Sequence, residues 1–127
     1  MSPRDWRDRI RDILDAIAEI ESFTRGMDYV RFSVDTKTLK AVELNLIVIG
    51  EAASQIPSDV EEQFPQIPWP LMRAMRNRLV HVYFSVDEKL LWDTIQNDLP
   101  VLVTLSWFSL KWNSSPFELA SCSSDHS

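Results

Sequence analysis

The sequence predicts an all-α fold, an up-and-down bundle of four to five helices. Apolar residues recur at spacings of three and four over most of the chain. Asp, Ser, Pro and Gly residues stand where these periodic stretches begin and end. No stretch alternates apolar and polar residues as a half-buried strand would. The 127 residues, 45% of them hydrophobic, are enough for a single domain with one core.

The first half of the chain predicts two long helices. Ser2 and Pro3 are typical of a helix start, and Gly26 is typical of a helix end, so the first helix runs to about Thr24. Its apolar positions are Trp6, Ile10, Ile13, Leu14, Ile17 and Ile20. The second helix runs from about Thr36 to Gln55, with Asp35 as its cap and Pro57 beyond its end. The stretch between the two helices, 27–33, is less periodic.

The second predicted helix is apolar on more than one face. Its main apolar seam follows a spacing of four and three residues, and further apolar residues lie outside that seam at Leu44, Ile47 and Val48. A helix with two apolar faces needs a second neighbouring helix or a second subunit. Gly50 is expected to permit close contact with another helix.

The second half predicts a short helical turn and two further long helices. Ser58 and Glu61 have the spacing of a capping box before a turn that ends near Phe64. A third helix follows the Pro-containing connector and ends within 81–84. Ser85 or Asp87 then caps a fourth helix, and Pro100 predicts a kink in it or a break into two abutting helices. The predicted domain is 1–112, followed by a Ser-rich and flexible tail, 113–127.

Composition excludes several classes of protein. A single cysteine, Cys122, excludes a disulfide framework and a cysteine-based zinc site. Two glycines are too few for a Gly-rich phosphate-binding loop. The charged N-terminus does not read as a signal peptide, and no apolar run is long enough to span a membrane, so we expect a cytoplasmic protein. The net charge of −6 argues against a protein that coats its whole surface with nucleic acid.

One stretch runs against this acidic balance. Residues 64–86 contain no Asp or Glu and hold three arginines, Arg73, Arg76 and Arg78. Within it, the segment Arg-Asn-Arg-Leu-Val-His-Val-Tyr contains His81, the only histidine outside the tail. Histidine transfers protons near neutral pH, and arginine binds phosphate oxygens with a planar fork of N–H donors. The spacing therefore indicates phosphate chemistry. In the alternative interpretation, which is the more common one for a histidine at a helix end, His81 is a cap or a packing partner and Arg76 only neutralises Glu51.

The helical geometry of this segment limits what it can do alone. At about 100° per residue, Arg76 and His81 lie about 140° apart around an unbroken helix. They then cannot both face one small substrate from the same helix. Either the third helix ends before His81, or the site joins residues of two subunits near the end of this helix. Glu51 is left open as a partner that orients Arg76 or Arg73, or as a plain surface acid.

The segment RNRLVHVYFSVD, together with the upstream IGEAASQIP, resembles the HepT-like family of HEPN domains. The family signature is Arg, four to six residues, His, any residue and Tyr, which Arg76, His81 and Tyr83 match with a four-residue gap. Asn77, directly after the arginine, also fits the usual pattern. A Trp-Pro pair before the third helix and the all-α pattern extend the resemblance to roughly residues 5–112.

The resemblance implies the toxin half of a bacterial toxin–antitoxin pair, acting as a metal-independent ribonuclease without a cofactor. Such proteins are homodimers, and their partner is an MntA-like nucleotidyltransferase that silences the toxin by transferring AMP to the tyrosine of the motif, here Tyr83. His81 would be the general base or acid, Arg76 would stabilise charge on the phosphorane oxygens, and Asn77 would orient the substrate or His81. Arg73 and Arg78 would hold flanking phosphates of RNA.

Two other interpretations stay open. In the first, the chain is a non-catalytic HEPN module that binds a nucleotide or a nucleotidyltransferase. In the second, it is a helical dimerisation protein whose motif serves packing alone, with Tyr83 a half-buried aromatic residue whose hydroxyl is satisfied.

Overall fold

A computed structural model describes residues 5–84 and 87–112, giving the backbone without the side chains for residues 77–84, 108–110 and 112. Within these ranges the chain forms helices and no strand, which confirms the all-α prediction. The helices are α1 (Trp6–Thr24), α2 (Tyr29–Val34), α3 (Thr36–Ser54), α4 (Ser58–Gln63), α5 (Trp69–Phe84), α6 (Glu88–Asp93) and α7 (Leu99–Trp112). The predicted tail, 113–127, with Cys122 and His126, lies outside the described residues.

Helix α3 lies at the centre of the packing. It contacts α1 on one side and α5 on the other, while α7 packs on α1. The apolar seams predicted for the first two long helices are buried, except that Trp6 is partly buried, and they form one continuous core with α5 and α7. Its fully buried members include Ile10, Ile17, Leu46, Ile49 and Met75.

Helix α1 begins later than the sequence indicates. Asp5 has an extended backbone, and its side chain accepts a hydrogen bond from the backbone N–H of Arg7. The cap is therefore Asp5, and the prediction of Ser2 as the cap is wrong; Ser2 itself lies outside the described residues. At the other end, Gly26 adopts a left-handed φ of 78°, as expected for a glycine that closes a helix.

The short helices were the least predictable elements. Helix α2 was missed because six residues are too few to show a helical period. Asp28 caps this helix, and the buried ring of Phe32 packs it against α6, with the ring centroids of Phe32 and Trp92 5.2 Å apart. In α4, Ser58 is the first helical residue and makes no cap, so the predicted capping box is wrong. Glu61 pairs instead with α5.

The last long helix is irregular where the sequence predicts an irregularity. Helices α6 and α7 are joined by a π-helical segment, Thr94–Asp98, which ends two residues before Pro100. Proline has no N–H to donate and its ring clashes with the carbonyl four residues earlier, so the wider π turn accommodates it without a chain break. Asp87 caps α6 by accepting from the N–H of Leu90; the other candidate cap, Ser85, lies outside the described residues. None of the described helices has the length and apolar character required to cross a bilayer.

Candidate functional site

Helix α5 carries the whole Arg-Asn-Arg-Leu-Val-His-Val-Tyr segment without a break. Its helical backbone extends to Phe84, beyond both His81 and Tyr83. The alternative in which the helix ends before His81 is therefore wrong. Positions 76 and 81 lie about 140° apart around one continuous helix. A shared site for these two residues then requires a second copy of α5.

Arg76 is held by a carboxylate of the neighbouring helix. Its Nη1 donates a hydrogen bond of 2.6 Å to Oε1 of Glu51 on α3, and each of the two side chains is 50% exposed. The sequence left Glu51 open as a partner of Arg76 or Arg73 or as a plain surface acid, and in the structure it pairs with Arg76. The guanidinium keeps N–H donors beyond the one that Glu51 takes, so it can still bind an anion from solvent.

Gly50 explains how the two helices come close enough for this pair. A Cβ placed on Gly50 would lie 2.7 Å from the Cβ of Arg76 and 2.9 Å from its backbone nitrogen. Real Cβ atoms do not approach other atoms so closely, so only glycine fits here. The close helix contact predicted at Gly50 is confirmed, and it falls at Arg76 itself.

Arg73 forms a second arginine–carboxylate pair on the same helix. Its Nη1 donates to Oε1 of Glu61 on α4, and the pair is less exposed than the pair of Arg76. Sequence reasoning missed this contact, because the spacing between Ser58 and Glu61 favoured a capping box. The positive charge of the acid-free stretch is thus neutralised in part by carboxylates from outside the stretch.

Four of the predicted site residues have no described side chain. Asn77, Arg78, His81 and Tyr83 lie on α5, and the structure describes their backbone only. Their predicted roles are therefore neither confirmed nor contradicted by contacts. Their helical positions still show that residues 76 and 83, seven apart, share one side of the helix.

A groove adjoins the Glu51–Arg76 pair. It has a volume of about 390 Å³, lies between α1 and α3, and includes Glu51 in its wall together with Arg9, Asp12, Ile47, Val48, Ala52 and Gln55. Sequence reasoning did not single out Arg9, since nothing in its spacing on α1 distinguishes it from the other charged residues of that helix. A larger groove of about 610 Å³ lies between α1 and α7, lined by Arg11, Leu14, Asp15, Trp107 and Lys111, and holds none of the predicted site residues.

The wall of the first groove continues into an apolar stripe. Leu44 is 62% exposed, and Ile47 and Val48 are each 37% exposed. These are the residues that the sequence placed outside the core-facing seam of α3, and the described part of the chain leaves them uncovered. Over the same described residues, no three His, Cys, Asp or Glu side chains are grouped so as to hold a metal ion.

The helical bundle and the motif on α5 together define a class, the all-α domains of the HEPN type. A model of the family described as ribonuclease HepT-like matches residues 13–106. The chain belongs to this ribonuclease HepT-like family.

Individual relatives agree with this assignment. A protein named probable ribonuclease HepT, from Thermococcus cleftensis, is 44% identical over 99 residues, which are 78% of this chain and 90% of the relative. Two proteins named putative RNases, both from Methanocaldococcus jannaschii, are 41% identical over 101 residues and 39% identical over 100 residues. Each alignment covers 79% of this chain, with 86% and 83% of the respective relative. No solved structure gives a significant match.

Proposed function

We propose that the chain is a metal-independent endoribonuclease, the toxin component of a toxin–antitoxin system, with its active site at a homodimer cleft. The observation that carries this proposal is the half-exposed guanidinium of Arg76, presented on an unbroken helix five residues before His81 in a member of a ribonuclease family. The names of the relatives agree with RNA as the substrate.

The proposed reaction is cleavage of an RNA phosphodiester by its own 2′-hydroxyl. The 2′-oxygen forms a bond to phosphorus, the bond from phosphorus to the 5′-oxygen breaks, and a cyclic phosphate is left on one product. One proton leaves the 2′-hydroxyl and one joins the departing 5′-oxygen. His81 makes one of these transfers, as the general base or as the general acid, and such a transfer typically contributes about 10²–10⁴-fold in rate.

The arginines act on charge in this scheme. Arg76 donates N–H groups to the phosphoryl oxygens as negative charge grows on them. Asn77 orients the substrate or His81. Arg78 and Arg73 bind flanking phosphates, and Arg73 does so with the donors that Glu61 leaves free. Replacing a residue that neutralises one RNA phosphate lowers the salt slope of binding by about 0.7 log units.

The homodimer is proposed from two features of the described chain. The continuous α5 separates positions 76 and 81, so one protomer cannot bring both to the same phosphate. The apolar stripe of Leu44, Ile47 and Val48 lies on α3 next to the Glu51–Arg76 pair, where a partner that buries it is also close to Arg76. Burial of such a stripe is the usual driving force for symmetric association.

Regulation is proposed at Tyr83, by AMP transfer from an MntA-like nucleotidyltransferase. Position 83 lies on the same side of α5 as Arg76. An AMP group there brings a phosphate charge and a base to the position that the RNA phosphate must occupy, so it competes for the arginine and repels the substrate.

Expression without the partner tests the nuclease. The parent should arrest growth and cleave RNA, including in the presence of a metal chelator, whereas His81→Ala and Arg76→Ala should do neither. Arg31→Ala removes an arginine from α2, away from the motif, and should behave like the parent. Equal cleavage by the His81 variant would refute the catalytic assignment. An inert parent that binds nucleotide or nucleotidyltransferase would favour the non-catalytic module.

The two tyrosines of the chain allow a matched test of the modification. Incubation with ATP and a nucleotidyltransferase encoded beside the gene for this chain should raise the intact mass of the chain by whole AMP units. Tyr83→Phe should abolish this rise. Tyr29→Phe should leave it intact, because Tyr29 packs against Trp92 on the α2–α6 side of the molecule. Modification that survives in Tyr83→Phe contradicts the assignment.

A further inference from the structure

We propose that Glu51 is a positioning residue for Arg76. Its carboxylate on α3 holds one N–H of the guanidinium, and the remaining N–H groups are thereby directed toward the phosphate. This inference rests on the proposed function, in which Arg76 stabilises charge on the phosphoryl group. It adds an acidic residue outside the Arg-x4-His-x-Tyr motif to the working parts of the site.

The first argument is the geometry of the contact. A hydrogen bond of 2.6 Å joins Nη1 of Arg76 to Oε1 of Glu51. Among the described side chains, it is the polar contact that holds this guanidinium. A guanidinium that is held at one nitrogen has fewer orientations open to it, and its other N–H donors stay available. A long arginine side chain without such a contact samples many rotamers and must lose that freedom when the substrate binds.

The second argument is the local fold. Gly50 lets the backbone of α3 lie against the Cβ and the backbone nitrogen of Arg76. Glu51 is the next residue on α3, so its side chain begins close to the point where that of Arg76 begins on α5. Half-exposed ion pairs contribute little to the stability of a fold. The close helix approach stabilises the fold, but the half-exposed pair beside it adds little to stability and is better explained by the orientation of Arg76.

The same contact has an alternative interpretation, in which Glu51 lowers activity instead of supporting it. Glu51 would then occupy the phosphate position on Arg76 and inhibit the enzyme until RNA displaces it. Attachment through a single nitrogen argues against this alternative, since a carboxylate that mimics a phosphate binds a guanidinium most strongly through two parallel hydrogen bonds. The two interpretations predict opposite changes in activity when Glu51 is removed.

The test compares Glu51→Ala and Glu51→Gln in the full chain with RNA as the substrate. Loss of the acceptor in Glu51→Ala should lower kcat by about tenfold or more, because a misplaced catalytic group slows the reaction strongly. Glu51→Gln keeps an acceptor oxygen at the same reach, so it should recover most of the lost kcat.

Glu61→Ala is the matched control. It removes the carboxylate on α4 that pairs with Arg73. Because Arg73 is proposed to bind a flanking phosphate, KM should change while kcat stays near that of the parent. An unchanged or higher kcat in Glu51→Ala overturns the proposal, and a higher value establishes Glu51 as a competitor. A fall in kcat in Glu51→Ala that Glu51→Gln does not recover also overturns it, since the acceptor oxygen would then not be what positions Arg76.

A second measurement does not depend on cleavage. In ¹H–¹⁵N spectra of arginine side chains, the Arg76 signals should lose order in Glu51→Ala and keep it in Glu61→Ala. Equal order of Arg76 in the parent and in Glu51→Ala overturns the positioning role whatever the activity. The proposed function fails separately, if the parent cleaves no RNA or if Arg76→Ala cleaves as well as the parent.

Discussion

Arg73 and Arg76 show how far single residues decide the character of this site. Both come from a stretch without acids, yet each pairs with a carboxylate from another helix. The difference lies in the setting. Glu61 connects α5 to the short helix α4, whereas Glu51 follows a glycine at which two long helices come into close contact. A local excess of arginine in a sequence is therefore no measure of the free positive charge in the fold.

Gly50 is the residue for which we expect the clearest effect on stability. In Gly50→Ala, the gain of about 1 kcal/mol from better helix propensity is opposed by overlap of the new Cβ with the Cβ and nitrogen of Arg76. The overlap involves backbone, so α3 and α5 must separate, and we expect a net loss of about 1–3 kcal/mol. Denaturant unfolding measures it.

Ser54→Ala is the control for this substitution. Ser54 lies near the end of the same helix, is exposed, and donates its hydroxyl hydrogen to the backbone oxygen of Glu51. Its replacement should change the midpoint of unfolding little. A Gly50→Ala variant at least as stable as the parent contradicts the close approach.

Glu43 is predicted to make stability depend on pH. Partial burial raises the pKa of its carboxyl above the ordinary value of 4.5, and the charge of Lys40 opposes this only in part. The folded chain therefore holds the proton more tightly than the unfolded chain does. The corresponding stabilisation is present below the unfolded pKa and is lost as the pH rises through the folded pKa.

Glu43→Gln removes this loss because an amide has no charge to desolvate. The variant should gain stability relative to the parent as the pH rises from below 4.5 to neutral, as measured by denaturant unfolding at both pH values. We subtract the free energy of unfolding of the parent from that of Glu43→Gln. If this difference stays constant or falls as the pH rises, the charged carboxyl is not destabilised by burial.

At the level of elements, aspartates set the helix boundaries. Asp5, Asp28, Asp35 and Asp87 each accept a hydrogen bond from a backbone N–H in the first turn of a helix. Four of the acids behind the net charge of −6 are thus accounted for by capping. The acidic balance consequently says less about binding partners than its magnitude suggests.

Asp35 offers the best test of a cap. Its carboxylate accepts from the N–H of Thr38 at 3.1 Å, and its own N–H donates to the carbonyl oxygen of Phe32, so it ends α2 and begins α3. Asp35→Ala should cost about 1 kcal/mol, whereas Asp35→Asn retains an acceptor and should cost much less. Thermal unfolding of both variants gives the comparison. Equal losses in the two would show that the side-chain bond is not what stabilises the boundary.

The sequence predicted the four long helices because each carries an apolar period longer than two turns and at least one end signal. It could not predict α2 or the true cap of α4, because six residues show no period and the Ser58–Glu61 spacing suits a capping box and an ion pair equally. At the candidate site, the Arg76 pair and the close approach at Gly50 were predictable from residue types. The pairing of Arg73 and the groove beside Glu51 depend on tertiary packing, which periodicity does not encode.

For the whole molecule, the uncovered stripe on α3 predicts the oligomeric state. The parent should sediment with twice the mass of the 14.7 kDa chain. Leu44→Glu should give single chains, because it places a charge in the apolar contact, where the charge would lose its hydration. Val30→Glu places the same charge on α2 at a valine that is 72% exposed, and it should leave the dimer intact. A parent of single mass, or dissociation by both variants, contradicts the assignment of the stripe.

Mixing two inactive variants tests whether the site is shared between protomers. If Arg76 of one chain acts with His81 of the other, a mixed dimer of Arg76→Ala and His81→Ala keeps one intact site of two. Random exchange makes about half of the dimers mixed, so equal amounts of the variants should recover about a quarter of the parent cleavage rate per chain. A site confined to one protomer recovers none, because each chain then lacks one of its own residues. Leu44→Glu introduced into both variants should abolish the recovery, since it removes the contact through which the two halves meet.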